Sequence, residues 1–324
     1  MTTALKLSAA ESGLAERNRR ANRIAFAVLV VLVAIAPFVA YPFFIMNALC
    51  FALFACAFNL LIGYVNLLSL GHAMFFGLAS YVSAHAAKVW GLEPVSAILA
   101  GVLVSSVLGF VTGALAIRSI GIYFAMITVA FSQMLYFFCV EAPFTHGEDG
   151  IQAVPRGSAL GLFDLSNPWI LYAFVAVVFL FGFLAVMRIV NSPFGEILRA
   201  IRENEPRVVS LGYRSLQYKL AAFVLSAAFA GLAGATKAIV AQNASLTDVS
   251  LGTSVEVVLM TLVGGMGAFY GPVVGALIVV SMQNYLAQYG EWVTVIQGVV
   301  FVACVLVFRR GLVGELAARA KVSL

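Results

Sequence analysis

Between Arg23 and Lys88 the chain has no Asp, Glu, Lys or Arg, an unbroken run of 64 residues. A soluble domain carries roughly 25% charged residues, so a run of this length has no way to cover itself in water. The rest of the chain agrees: of 324 residues, 63% are hydrophobic and only 10% charged, with a mean hydropathy of +1.03. A helix needs about 20 mostly apolar residues to cross a hydrocarbon layer, so the run alone holds about three crossings. The chain reads as an integral membrane protein.

Further uncharged runs follow at Pro94 to Ile117, Ser119 to Val140, Pro168 to Met187, Leu220 to Thr236, Val257 to Gly290 and Trp292 to Phe308. The longest of these reads as two spans split near Gly264 to Pro272. The count is about ten, and the expected fold is all-α: a polytopic membrane helical bundle of about eight to ten transmembrane helices. The period-2 alternation of a barrel is absent. A transmembrane domain over 24–308 is expected, flanked by polar tails at 1–23 and 309–324.

Positive charge sets the orientation. With an inner amino terminus and ten spans, Lys6, Arg17, Arg19, Arg20, Arg23, Arg118, Arg188, Arg199, Arg202, Arg207, Arg214, Lys219, Arg309, Arg310, Arg319 and Lys321 fall inside. Only Lys88, Arg156 and Lys237 fall outside. That asymmetry is the one expected of cytoplasmic loops, and it places both termini in the cytoplasm. A net charge of +5 does not point to nucleic acid, because the basic residues flank apolar spans and no soluble basic face exists. Basic residues followed by an apolar run ending near Ala34-Ile35-Ala36 loosely resemble a signal peptide, but the long polar lead and the many later spans favour an uncleaved first span. Cys50, Cys56, Cys139 and Cys304 lie inside apolar runs without metal or disulfide spacing, and read as small buried hydrophobes.

Four departures from apolar character carry the functional reading. The longest polar stretch between spans, about 189–218, opens with Ser192-Pro193, an N-cap followed by proline at the first helical position. Phe194, Ile197, Leu198 and Ile201 then recur at helical spacing opposite Glu196, Arg199, Arg202 and Glu203, and Pro206 should end or break the helix. Such a helix is either a connector at the lipid surface or a knob docking into a cytoplasmic partner. The second departure is the outer loop, about 142–167, where Thr145-His146-Gly147-Glu148-Asp149-Gly150 fits neither a His-Glu-x-x-His site nor a calcium loop. It reads as a glycine turn with acidic tips, and no metal is expected.

The third departure is Asn66-Leu67-Leu68-Ser69-Leu70-Gly71-His72 inside the first long run. Polar groups at that depth face protein or a water-filled path, so the segment is either a broken, path-lining element or an ordinary inner turn. The fourth is Glu256. An intramembrane carboxylate suggests ion or proton coupling, whereas Thr253-Ser254-Val255-Glu256 is also a capping-box pattern. Downstream, Gly267, Gly271 and Gly275 recur every four residues beside Pro272. That series reads as close helix packing, or as a bend beside a path. No Gly-Lys dipeptide occurs, so there is no phosphate-binding P-loop, and no zincin or nucleophile-elbow motif suggests an enzyme.

Together these segments resemble one permease family. Ser69-Leu70-Gly71-His72-Ala73-Met74-Phe75-Phe76-Gly77, Gly121-Ile122-Tyr123-Phe124-Ala125-Met126-Ile127-Thr128 and Thr145-His146-Gly147-Glu148-Asp149-Gly150-Ile151 are similar to landmarks of the LivM-type membrane subunit of branched-chain amino acid ABC importers. The stretch Arg199-Ala200-Ile201-Arg202-Glu203-Asn204-Glu205-Pro206, with Ser210-Leu211-Gly212-Tyr213, matches too, as do Gly264-Gly265-Met266-Gly267 and Gly271-Pro272-Val273-Val274-Gly275-Ala276. The five landmarks stand in the family's order.

The resemblance implies a permease of a bacterial inner membrane, working by alternating access with a second, LivH-like permease subunit, two cytoplasmic ATPase subunits and an outer substrate-binding protein. ATP would be hydrolysed on the partners, with no cofactor on this chain. Glu203, Asn204, Glu205, Pro206, Arg207 and Gly212 would form the ATPase-coupling segment, although Glu205 and Gly212 are spaced slightly differently from the usual loop signature. Asn66, Ser69, His72 and Thr128 are the candidate path residues, with Glu256 as the coupling site if the chain instead works as an ion-driven transporter. A urea or short-chain amide permease is the closest competitor within the family. Spans almost free of charge fit a net-neutral amino acid better than an ion.

Overall fold

A computed structural model describes residues 23–159, 161, 163–286, 290, 295, 296, 298, 299, 301, 302, 306 and 311–320. The expected tail before Arg23, most of the expected span at Trp292 to Phe308 with Cys304, and the basic residues Arg309, Arg310 and Lys321 lie outside the described residues. The chain folds as helix after helix: α1 (Arg23–Val39), α2 (Pro42–Tyr64), α3 (Ala73–Lys88), α4 (Pro94–Ala116), α5 (Ile122–Glu141) and α6 (Pro168–Val190). After these come α7 (Pro193–Ser210), α8 (Ser215–Ala241), α9 (Leu251–Gly264), α10 (Gly271–Leu286) and α11 (Gly311–Ala320). Helices α2, α4, α5, α6 and α8 are long and apolar enough to cross a membrane, and α1, α9 and α10 are shorter apolar helices. This is the all-α polytopic bundle expected from the uncharged runs. Pro42, Pro94, Pro168 and Pro193 open their helices at the first turn, where a missing N–H costs no hydrogen bond.

The core forms where α2, α3 and α8 meet, around the fully buried Phe54, Phe58, Phe75, Phe76 and Phe223. Lipid is as apolar as these side chains, so burial alone gives helices little reason to associate, and close contact and interhelical hydrogen bonds decide instead. On α8, a Cβ at Gly234 would stand 1.9 Å from the Phe76 carbonyl oxygen. Ser226 Oγ donates to Ala57 O at 2.5 Å, and Ser105 Oγ on α4 donates to Ala227 O at 2.7 Å.

Helices α9 and α10 fold back on each other through a turn at 265–270, as the split near Gly264 to Pro272 predicts. The glycine series resolves as packing: a Cβ at Gly275 would lie 1.8 Å from Met260 O, and one at Gly264 would lie 1.9 Å from Gly271 O. Gly267 sits in the turn itself with φ +80, and Pro272 stands in the first turn of α10 rather than bending a continuous helix.

Helices α3 and α9 are too short for a full crossing. The 16 residues of α3 and the 14 of α9 rise only about 24 Å and 21 Å against a hydrocarbon layer of about 30 Å. Their amino-terminal ends meet inside the bundle, where the Ala73 N–H donates to Ser254 Oγ at 2.9 Å, fully buried. At the end of the bundle opposite α7, the loop after α5 is pinned to the segment before α9. Strand β1 (Ile151–Gln152) pairs antiparallel with β4 (Asn243–Ala244), while β2 (Ser158–Ala159) and β3 (Phe163–Asp164) form a small hairpin between. Thr145 Oγ1 donates to Cys139 O and Ala142 O, both at 2.6 Å, and Gly147 and Gly150 turn with positive φ, leaving Glu148 and Asp149 exposed. The loop is the acidic-tipped turn that its glycines predict.

Candidate functional site

Helix α7 joins two long spans and has the amphipathic pattern read from the sequence. Gly195, Leu198, Ile201 and Val208 are buried against the bundle, while Glu196, Glu203, Pro206 and Arg207 face outward. It begins where Ser192-Pro193 predicts, but Ser192 Oγ does not cap the new helix. It turns back and donates to Ile189 O, at 2.6 Å, in the last turn of α6. The predicted break is present but lies two residues before Pro206: Asn204 leaves helical geometry at φ −157, ψ 88. Its Oδ1 accepts the Arg207 N–H at 3.1 Å, so Asn204 is the cap of a second short helix and Pro206 stands inside that helix's first turn, where proline is tolerated.

Beyond the kink, Val209, Leu211, Tyr213 and Leu216 are exposed, Leu211 by 69%, beside Arg207 and Arg214. Gly212, at φ +90, makes the turn that presents them. Glu205 differs from its neighbours in the coupling set. Its carboxylate is committed within the chain, to Lys219 Nζ of α8 at 2.7 Å. Partial burial works against its ionised form, but hydrogen bonds from Lys219 and Ser215 and the Lys219 charge hold the carboxyl below the ordinary carboxylate value.

The inward side of α7 grips the end of α2 and the α9–α10 turn. The Arg202 guanidinium donates to the Gly63 carbonyl oxygen, and Arg199 lies 5.4 Å from the centre of the Tyr64 ring. Tyr64 OH in turn donates to Gly267 O at 2.9 Å. Asn59 holds the same turn with both ends of its amide, Nδ2 donating to Ala268 O and Oδ1 accepting the Gly267 N–H, each at 3.0 Å. Sequence reasoning passes over Asn59 and Tyr64; the available signal is an amide set between Phe58 and Leu60 in an otherwise apolar helix.

The segment from Asn66 to His72 is not a simple turn. Asn66 is exposed with φ 61, and the chain then climbs back into the bundle before α3 begins. The Leu70 N–H donates to Thr128 Oγ1 at 3.2 Å, and a Cβ at Gly71 would stand 2.0 Å from Thr128 O. Ser69, His72 and Thr128 are fully buried. His72 Nε2 meets Ser226 Oγ at 3.0 Å between the rings of Phe54, Phe58 and Phe75. Ser69 Oγ, His72 Nδ1 and Ser132 Oγ, the last from α5 beside Gly71, are buried with no protein partner. The structure therefore brings Ser69, His72 and Thr128 together, adds Ser132 and Ser226, and leaves Asn66 apart at the α7 end.

Glu256 is not the capping-box partner of Thr253. Ser250 supplies the cap one turn earlier, its Oγ accepting the Thr253 N–H at 3.4 Å, so α9 already runs from Leu251 and Glu256 hydrogen-bonds Gln283 of α10 from its second turn. A capping box does form just upstream, between Ser245 and Asp248. Asp248 also pairs with Lys237 at 2.8 Å, and Ser80 Oγ donates to it at 3.4 Å. This buried pair, which ties α8, α3 and the segment before α9, is not legible from charges eleven residues apart across a loop. Among the described residues no group of three or more His, Cys, Asp and Glu could hold a metal ion.

A family model described as the branched-chain amino acid transport system permease component matches residues 41–306. The chain belongs to this permease family. It is 26% identical over 257 residues to the high-affinity branched-chain amino acid transport system permease protein LivM of Salmonella typhimurium, covering 72% of this chain and 60% of the relative. It is 25% identical over 295 residues to the protein of the same name in Escherichia coli, covering 82% and 69%. The probable branched-chain amino acid transport permease protein LivM of Methanocaldococcus jannaschii is 25% identical over 209 residues, covering 59% and 57%. The chain thus spans about two thirds or less of these relatives' length. No solved structure matches it. Family membership accounts for the uncharged, membrane-length helices as those of a permease.

Proposed function

We propose that the chain is the LivM-like permease subunit of an ATP-driven importer of branched-chain amino acids in a bacterial inner membrane. It would pair with a second, LivH-like permease, two ATPase subunits on the α7 side and a substrate-binding protein on the opposite side. Both termini lie on the ATPase side in this reading. The observation that carries it is α7: an amphipathic helix kinked at Asn204, anchored inward on α2 and outward-facing with Val209, Leu211 and Tyr213 between Arg207 and Arg214. An exposed apolar patch rimmed by charge on a chain without a P-loop is what docking to a separate motor requires. Glu203, Asn204, Pro206, Arg207 and Gly212 form the docking surface, and Glu205 holds it to α8.

The path runs beside the ends of α3 and α9. Interrupted helices that meet within a bundle offer backbone N–H groups to a carboxylate without placing a formal charge in the membrane. Ser69, His72 and Thr128, with Ser132 and Ser226, supply hydroxyl and imidazole groups around that point. A zwitterion with an aliphatic side chain suits such a lining, in keeping with the names of the relatives.

Reconstitution tests the reading. With the two permeases, the ATPases and the binding protein in proteoliposomes, uptake of labelled leucine, isoleucine or valine should require ATP and the binding protein. Uptake by this chain alone, driven by an ion gradient and abolished by Glu256→Gln, would replace this reading with a secondary transporter. Uptake of urea or acetamide in preference to leucine would keep the machine and change the substrate.

A further inference from the structure

Two chains of contact start from one residue of α7 and converge on the start of α3. Arg202 reaches across to donate to Gly63 O in the last turn of α2, where unpaired carbonyl groups and the negative end of the helix favour a cation. Gly63 is itself wedged. A Cβ there would stand 2.5 Å from Asn59 Oδ1 and 2.9 Å from the Gly267 nitrogen, so the end of α2 and the 265–270 turn are seated on each other without a gap. Three hydrogen bonds, from Tyr64 OH, Asn59 Nδ2 and the Gly267 N–H, lock that seat. The start of α11 abuts it too, since a Cβ at Gly311 would stand 2.3 Å from Gly265 Cα.

From this knot one route continues along the chain from Tyr64 through 65–72 to His72 and Ala73. The other passes through the turn into α9, whose Ser254 Oγ accepts the Ala73 N–H. A displacement of α7 applied at Arg202 is therefore delivered to the same point, the polar start of α3, along two packed elements. Of the other ties of α7, Arg199 over the Tyr64 ring acts on the same knot, whereas Glu205 with Lys219 and the Phe194 ring 5.8 Å from that of Tyr218 act on α8.

Resting on the permease reading above, we infer that Arg202, which donates to Gly63 where Asn59 and Tyr64 lock the end of α2 onto the 265–270 turn, is a positioning residue for transport: it links ATPase-driven movement of α7 to the Ser69–Ala73 segment. An element that both sites bias is what physical coupling demands, and a rigid-body shift of α7 is the movement to be passed on. Lysine at 202 keeps the charge but loses the planar fork, so it should couple only partly.

The experiment measures uptake and ATP hydrolysis together in the reconstituted complex. With Arg202→Gln, assembly and ATP hydrolysis should stay close to wild type while amino acid taken up per ATP falls about tenfold, the loss of one charge-assisted hydrogen bond. Arg202→Lys should fall between, and Tyr64→Phe, which removes only the hydroxyl to Gly267, should fall in the same direction by a smaller factor. If Arg202→Gln fails to assemble, Tyr64→Phe decides. A complex that assembles and keeps the wild-type ratio in both Arg202→Gln and Tyr64→Phe overturns the inference, even if its melting temperature drops, because a purely structural knot would change stability and not the ratio. Absence of ATP-driven uptake in the wild type overturns the permease reading itself, and this inference with it.

Discussion

Lys237 and Asp248 show how one ion pair can define the end of the bundle opposite α7. Both side chains are largely buried, at 13% and 7% exposure, and the carboxylate gathers Lys237, Ser80 and the Ser245 N–H around itself. The pair holds the carboxy-terminal part of α8 and the segment before α9 against α3. Burying two charges is costly, so the pair's value lies in mutual compensation rather than in net gain. Lys237→Met leaves the Asp248 carboxylate buried without its cation and should destabilise the protein by about 3–5 kcal/mol. Adding Asp248→Leu to Lys237→Met should recover much of that loss. Thermal unfolding in detergent reads both, and a double variant no more stable than Lys237→Met would show that the carboxylate is not the source of the penalty. Neither residue stands out in the sequence, because a pair that forms only when a loop folds back has no local spacing to announce it.

At the scale of elements, α7 is the most legible part of the chain and also the most instructive. Its start follows from Ser192-Pro193, and its buried face follows from Phe194, Ile197, Leu198 and Ile201 at helical spacing. Its break does not fall at Pro206, because a proline in the first turn of a helix is compatible with that helix; the chain parts at the nearest residue able to cap, Asn204. The same competition between caps explains Glu256, where Ser250 starts α9 a turn earlier than the Thr253 pattern implies. Asn204→Ala should therefore cost about 1 kcal/mol, the usual value of a lost side-chain cap, and Asn204→Asp should cost much less. Chemical denaturation of the purified chain measures this, and equal losses in the two variants would contradict the capping role. The short helices α3 and α9 are harder to foresee. Hydropathy locates them as apolar segments, but the meeting of Ala73 with Ser254 depends on contacts 181 residues apart in sequence.

For the whole molecule, scarcity of charge is the organising fact. The uncharged runs predict the spans and the family landmarks predict the permease, while the distribution of Lys and Arg gives α7 and α11 a common side. What the sequence does not disclose is the knot where that side grips α2: Asn59, Gly63, Tyr64, Gly267 and Arg202 come from three separate elements. The central claim, that a separate ATPase acts on the exposed patch of α7, is tested most directly by cross-linking. Among the described residues Cys50, Cys56 and Cys139 are all buried, so a chain carrying Cys304→Ser is a fitting background and control for a cysteine placed at an exposed position. In an assembled, ATP-hydrolysing complex, Leu211→Cys should cross-link through a short bismaleimide to an ATPase subunit, with a yield that changes between nucleotide-free and ATP-bound states. Phe163→Cys, exposed on the opposite end in β3, should give no such product. A functional complex in which Leu211→Cys stays uncross-linked while Phe163→Cys reaches the ATPase would contradict the account.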